Sequence, residues 1–161
     1  MAATVFTGRH DYTLDSKGRV AIPKPLLEQL RRISGAESPR LALTLGTEDC
    51  LFLVLAAELH TVLEEGRAEF FDEEEPEDFR RLFYSTALES TPDPQGRIVV
   101  SPDLRTYAGL ESDVTFLGTG RRIEVWSTKR WNDRQRKLVA DFTRMARAAK
   151  KASQSKPGGG A

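Results

Sequence analysis

The sequence predicts an α+β fold built from two half-repeats, and three observations carry that prediction. A turn-and-strand unit is written twice, as Asp15-Ser16-Lys17-Gly18-Arg19-Val20-Ala21-Ile22 and as Asp93-Pro94-Gln95-Gly96-Arg97-Ile98-Val99-Val100, with Asp93 78 residues beyond Asp15. A second pair, Leu45-Gly46-Thr47 and Leu117-Gly118-Thr119, recurs in the same order, each copy between apolar runs. Around these motifs, short apolar runs alternate with segments of helical spacing. One Asp-x-x-Gly followed by arginine is an ordinary turn with a solvated strand start. Two ordered copies, each with the same second motif, point to a duplicated half-domain.

Taken in order, Thr4 to Leu14 holds Val5, Phe6, Tyr12 and Leu14 among polar residues, an extended opening strand with imperfect alternation. In each turn the aspartate can accept backbone N–H bonds, the glycine tolerates the positive φ that follows a type I turn, and Pro94 pre-sets φ. The aliphatic run behind each arginine anchors it to a buried strand. Pro25 to Ile33 places Leu26, Leu27, Leu30 and Ile33 at helical spacing, with Ser34-Gly35 as its stop. Leu41–Leu45 and Leu51–Leu55 form a hairpin, and Ala56–Glu65 a helix using Leu59, Val62 and Leu63. Pro76–Ala87 is a further helix. The second half repeats the plan: a strand at Leu88–Thr91, the turn, a strand at Ile98–Val100, a short helix with Ser101 as N-cap ending near Gly109, and a hairpin of Val114–Leu117 with Ile123–Trp126. A basic helix follows, striped by Leu138, Phe142, Met145 and Ala149. The expected divisions are a first repeat over 5–56, a helical acidic connection over 57–87, a second repeat over 88–128, the basic helix over 129–150 and a disordered tail over 151–161.

Lysine plus arginine and aspartate plus glutamate both number 24, so the whole chain offers no net field to steer it onto nucleic acid, and local charge must do so. Nine acids lie between Glu64 and Asp78, and a basic run spans Lys129 to Lys151; the two can complement each other within or between subunits, or be solvated helix faces. Cys50 is the single cysteine, which excludes an intramolecular disulfide and suits a buried, inert thiol in a reducing compartment. Met1 to Arg9 lacks a signal-peptide core and no apolar run approaches a membrane span, so a soluble cytoplasmic protein is expected. His10 and His60, the only histidines, sit in no zinc or triad spacing. Gly118-Thr119-Gly120 lacks the third glycine of a dinucleotide site. No enzyme, metal site, cofactor or small-molecule substrate is expected.

Thr13-Leu14-Asp15-Ser16-Lys17-Gly18-Arg19 with Ile22-Pro23, and Asp93-Pro94-Gln95-Gly96-Arg97-Ile98 with Leu104-Arg105-Thr106-Tyr107-Ala108-Gly109-Leu110, resemble the two halves of the MraZ family of bacterial regulators of the division and cell-wall gene cluster. Ile123-Glu124-Val125-Trp126 and Trp131 are similar to that family's closing strand and its continuation, so the resemblance runs from Phe6 to Trp131. It implies the swapped-hairpin barrel of AbrB-like regulators, two halves per chain and several chains closing a ring. It also implies a nucleoid-associated transcriptional regulator, usually a repressor, that binds promoter-proximal repeats of double-stranded DNA through its two Asp-x-x-x-Arg turns. One departure is Lys24-Pro25-Leu26-Leu27, where family members tend to have a Phe-Arg pair; a basic contact is missing or displaced, and Lys24 is a partial substitute. The tail beyond Trp131 is longer and more basic than the resemblance requires.

Physical chemistry agrees with these implications. Arg19 and Arg97 can each make a bidentate contact to a guanine edge, Lys17, Arg9 and turn N–H groups can grip phosphates, and Asp15 and Asp93 organise the turns. The competing class is an AbrB-fold interaction module, antitoxin-like or a ring scaffold, with DNA binding secondary. A homo-oligomer is expected under either, because the apolar strands and flanking helices leave surfaces that one small chain hardly covers.

Overall fold

Neither half completes a sheet from its own strands. The computed structural model describes residues 5–70 and 77–155. The first half contributes β1 (Arg9–Thr13), β2 (Arg19–Ala21), α1 (Lys24–Ser34), β3 (Leu41–Leu45) and β4 (Leu51–Leu55). A 3₁₀ turn (Ala56–Glu58), α2 (Leu59–Phe70) and α3 (Glu77–Ser85) connect it to β5 (Leu88–Ser90), β6 (Arg97–Val99), α4 (Pro102–Ala108), β7 (Asp113–Gly118) and β8 (Ile123–Ser127), and α5 (Thr128–Ser155) follows.

Six strands form an antiparallel sheet in the order β1-β7-β8-β4-β3-β5, and β2 pairs with β6 in a separate ribbon. The order reads the same from either end once each strand is exchanged for its counterpart. The opening strand of each half lies on the other half's hairpin: β1 on β7, from Arg9↔Leu117 to Thr13↔Asp113, and β5 on β3, from Leu41↔Ser90 to Leu43↔Leu88. The hairpins join at the centre through Leu51↔Val125 and Leu53↔Ile123. This exchange of strands is the swapped arrangement that the resemblance implies. Residues 5–128 accordingly lie in one compact unit, and residues 129–155 lie in a second.

Sequence explains which strands lie inside. β3 and β4 are apolar except for Thr44 and are buried on both faces, whereas the edge strand β1 alternates exposed and half-buried residues. Leu26 and Leu30 from α1, Leu104 and Ala108 from α4, and Val20 and Ile98 from the ribbon join Leu41, Leu53, Val114 and Ile123 of the sheet in one hydrophobic cluster. The ribbon therefore rests on the core through alternate residues, which frees its other face. Both supporting helices are capped as expected: Pro25 stands in the first turn of α1, the Ser101 side chain accepts the Leu104 N–H at the start of α4, and Gly35 and Gly109 close them in the left-handed conformation. The buried Thr44 hydroxyl donates to the Phe83 carbonyl at 2.6 Å, tying α3 to the sheet.

Several boundaries differ from expectation. The opening strand is shorter, because pairing breaks between an isolated Phe6↔Gly120 bridge and Arg9; Thr4 lies outside the described residues. The connection after β4 begins as a 3₁₀ turn before α2 becomes regular, and the second ribbon strand starts at Arg97, one residue early. The tail expected to be disordered from 151 is helical through Ser155, since Lys151-Ala152-Ser153-Gln154-Ser155 contains no breaker and the glycine run starts only after Pro157; residues 156–161, like the acids at 71–76, lie outside the described residues. Within α5, Arg136 pairs with Asp133 and Arg144 with Asp141. Of the acidic run, Glu65 meets Arg121 and Asp78 meets Arg81.

Candidate nucleic-acid interface

The two turns are the same lock. In the first, the Gly18 N–H donates to the Asp15 carbonyl at 3.0 Å and the Asp15 N–H to the Arg19 carbonyl at 2.8 Å. One Asp15 carboxylate oxygen accepts the N–H groups of Lys17 and Arg19, both at 2.9 Å, and the other accepts Arg19 Nε at 2.9 Å. In the second, Asp93 makes the same five bonds with Gly96, Gln95 and Arg97, at 2.7 to 2.9 Å. An aspartate is required because its carboxylate is short enough to reach the N–H groups two and four residues on while its second oxygen aims at the arginine. The bonds to the ionised form, led by the Arg19 and Arg97 backbone N–H groups, hold both carboxyls below their ordinary pKa of 3.8 against the opposing effect of desolvation.

Each arginine is consequently aimed. The Arg19 and Arg97 side chains are 29% and 30% exposed, and each is held through Nε alone. No other described residue pairs with their terminal nitrogens, so each presents those donors from a fixed stem.

The ribbon brings the two locks onto one support. Arg19 lies opposite Val99, and Arg97 opposite Ala21. With Val20 and Ile98 turned into the core, these four residues share the outer face, and the two arginines are diagonal neighbours whose backbones stand roughly 7–8 Å apart. The ends are cross-tied: the Val100 N–H donates to the Gly18 carbonyl and the Ile22 N–H to the Gly96 carbonyl, both at 2.8 Å.

Not every residue expected at this site is there. Lys17 is exposed in the first turn beside Arg19, where the second turn has Gln95. Arg9, by contrast, stands at the far end of β1, opposite Leu117 and ion-paired with Asp11 at 3.1 Å. Four extended residues carry it about 13 Å from Thr13, to the end of β1 opposite the Asp15 turn.

Sequence reasoning left out Arg105. A Cβ placed on Gly18, whose φ is +74°, would come within 3.3 Å of the Arg105 guanidinium carbon and 3.2 Å of the Val100 carbonyl. At Gly96, whose φ is +75°, the corresponding neighbour is Leu27, with its Cδ2 at 3.2 Å. Leu27 and Arg105 are 78 residues apart, the same interval as the turns, so they are counterparts in the two halves. Each supports the turn of the other half. The residue that borders the second turn is Leu27, and the repeat interval was the signal that could have identified it.

Other chemistry is sparse. Among the described residues no cluster of three or more His, Cys, Asp or Glu side chains is arranged to hold a metal ion, and no helix is long and apolar enough to cross a membrane. Burial first, then the nearby Glu124 charge, pushes the Cys50 thiol far above its usual range, and the thiol donates to the Thr47 carbonyl. His60 Nδ1 is 3.0 Å from the Tyr84 hydroxyl.

Comparison with known proteins agrees with the duplicated architecture. A family model described as "MraZ protein, putative antitoxin-like" matches twice, over residues 5–81 and 83–153. A protein of Kineococcus radiotolerans named transcriptional regulator MraZ is 40% identical over 127 residues, covering 79% of this chain and 84% of its own length. Proteins of the same name from Micrococcus luteus and Syntrophomonas wolfei are 38% and 32% identical, over 80% and 88% of this chain and 85% and 94% of their own. With one family match to each of two interleaved halves, and relatives of 32–40% identity over most of the chain, the chain belongs to the MraZ family.

Proposed function

We propose that this chain is a sequence-specific DNA-binding transcriptional regulator that presents the β2–β6 ribbon to the major groove, with Arg19 and Arg97 reading guanine edges and Lys17 contacting a phosphate. The observation that carries this reading is the pair of carboxylate-locked arginines on the outer face of one rigid ribbon. A two-stranded ribbon fits the major groove, and a guanidinium held through Nε retains the terminal donors for the O6 and N7 acceptors of guanine. Asp15 and Asp93 aim the arginines and touch no base. The names of the relatives support regulation of transcription, and repression at promoter-proximal repeats is the form proposed. Arg9, distant from the ribbon, has no part in this head.

The chain is further proposed to act as a homo-oligomer, with a ring presenting several ribbons to repeated sites. Val139 and Phe142, each 68% exposed on α5, support self-association, because such apolar groups are seldom left to solvent along one helix face. The deciding experiment is a gel shift with DNA from upstream of the protein's own gene, against a scrambled duplex of equal length. Preferential retention of the upstream DNA is expected; equal affinity for both duplexes would overturn the reading. Light scattering at micromolar concentration should give a mass above one chain in low and moderate salt, and a monomer in both would overturn the ring.

A further inference from the structure

We propose that Arg105 is a DNA-phosphate contact belonging to the first turn and delivered by the opposite half of the chain, so that the two ends of the ribbon grip a duplex unequally. The proposal rests on the DNA-binding reading above and adds to it a residue and an asymmetry. Arg105 lies on α4, yet its guanidinium borders Gly18, 87 residues away in sequence, beside the lock that aims Arg19. Its Nε is buried without a hydrogen-bond partner, and no carboxylate among the described residues is paired with its guanidinium. Arg105 as a whole is half-buried, so part of its guanidinium is open to an anion from outside, and a phosphodiester offers the oxygen acceptors that a guanidinium fork matches.

The second turn supplies the internal comparison. Leu27, the counterpart of Arg105, places a hydrocarbon under Gly96, and Gln95 replaces Lys17. The first end of the ribbon thus has Lys17 and Arg19 in its turn and Arg105 beside Gly18, where the second has Gln95, Arg97 and Leu27 at the corresponding positions. Arg105 borders the turn from a helix and is not one of the ribbon residues that share the outer face with Arg19 and Arg97. That location suits the backbone of the duplex, whereas base edges face the ribbon.

The test compares wild type with Arg105→Leu, which copies the arrangement already accommodated at Leu27, and with Arg105→Lys, which keeps the charge. Binding to the upstream duplex and to the scrambled one is followed by fluorescence anisotropy between about 50 and 300 mM salt, with thermal unfolding as a control on the fold. Arg105→Leu should weaken binding to both duplexes about equally, by roughly tenfold, and reduce the slope of log K against log salt by about 0.9, the contribution of one phosphate. Arg105→Lys should keep the wild-type slope. Inorganic phosphate alone should show no saturable binding by calorimetry; if it does, the site serves free phosphate and the proposal is overturned. A wild-type slope in folded Arg105→Leu, or a loss confined to the upstream duplex, overturns it as well. Should Arg105→Leu fail to fold, Arg105→Gln carries the same comparison, with the same slope deciding. Absence of specific binding by wild type would instead defeat the DNA-binding reading itself, so the two failures are distinguishable.

Discussion

The turns at Asp15 and Asp93 differ in everything except the lock. Their five hydrogen bonds agree to within about 0.2 Å, although Ser16-Lys17 in one is Pro94-Gln95 in the other. The supports beneath them differ as well: a guanidinium from a helix of 7 residues under Gly18, a leucine from a helix of 11 under Gly96. The aim of the arginine and the charge around it are therefore carried by separate residues. Changing the aspartate or arginine is expected to alter where a donor points; changing residues 17, 27, 95 or 105 is expected to alter how strongly an anion is attracted, with the aim left alone.

Four measurements break or sharpen this comparison. The largest effect is expected from Arg19→Ala and Arg97→Ala, each removing a base-reading contact worth about 1–3 kcal/mol, multiplied where several ribbons bind together. Both variants should stay folded, with Tm lowered only by the loss of the arginine Nε bond to its aspartate. Wild-type operator affinity in both would show that neither turn reads DNA. Next comes helical phase. Ribbons held at fixed rotation by an oligomer can dock together only on repeats spaced by about 10–10.5 bp or its multiples, so inserting about 5 bp should abolish most of the avidity while every base contact survives. Equal binding to both operators at one ionic strength would leave a single head.

The third measurement is stability. Alanine at either turn glycine adopts a left-handed φ at a cost of about 1–2 kcal/mol. Gly18→Ala should cost more than Gly96→Ala, because its methyl meets the fixed Val100 carbonyl as well as Arg105, while the other meets only a leucine methyl that can swing away. Urea denaturation measures the difference, and the reverse order would refute the assigned supports. The smallest effect is that of Asp15→Asn and Asp93→Asn. One amide oxygen can still accept the two N–H groups, but the amide nitrogen opposes the arginine Nε, so operator affinity should fall by about threefold to tenfold. The pH dependence has a fixed sign. A carboxyl depressed by folding contributes its stability fully above the ordinary pKa of 3.8 and loses it as the pH falls through its lower folded value. Wild type and the asparagine variants should therefore differ in Tm at neutral pH and converge under acid below about pH 4; a gap that persists there would count against the lock.

What was legible in the sequence was local. The turns, their arginines, the helix caps and the Leu41–Leu55 hairpin each depend on residues close together in the chain. The exchange of strands was implied only by resemblance, since nothing in the composition of β1 says that it pairs with β7 about a hundred residues later. Arg9 shows the complementary effect: a short interval in sequence becomes a long one in space when the chain is extended. Arg105 was missed because its contact with the first turn joins opposite halves, and only the repeat interval linking it to Leu27 betrays it.

The crossed pairing of the ribbon also sets a timetable for synthesis. β2 emerges from the ribosome nearly eighty residues before its partner β6, and β1 waits longer still for β7. At about 5–20 residues per second, the first lock spends roughly 4–16 s on an unpaired strand. The last-formed contacts of such a chain are its most distant in sequence, which slows folding relative to a helical protein of equal length. A nascent chain stalled before Arg97 is accordingly expected to remain open to protease at β2, and to gain protection there only after the second half has been released.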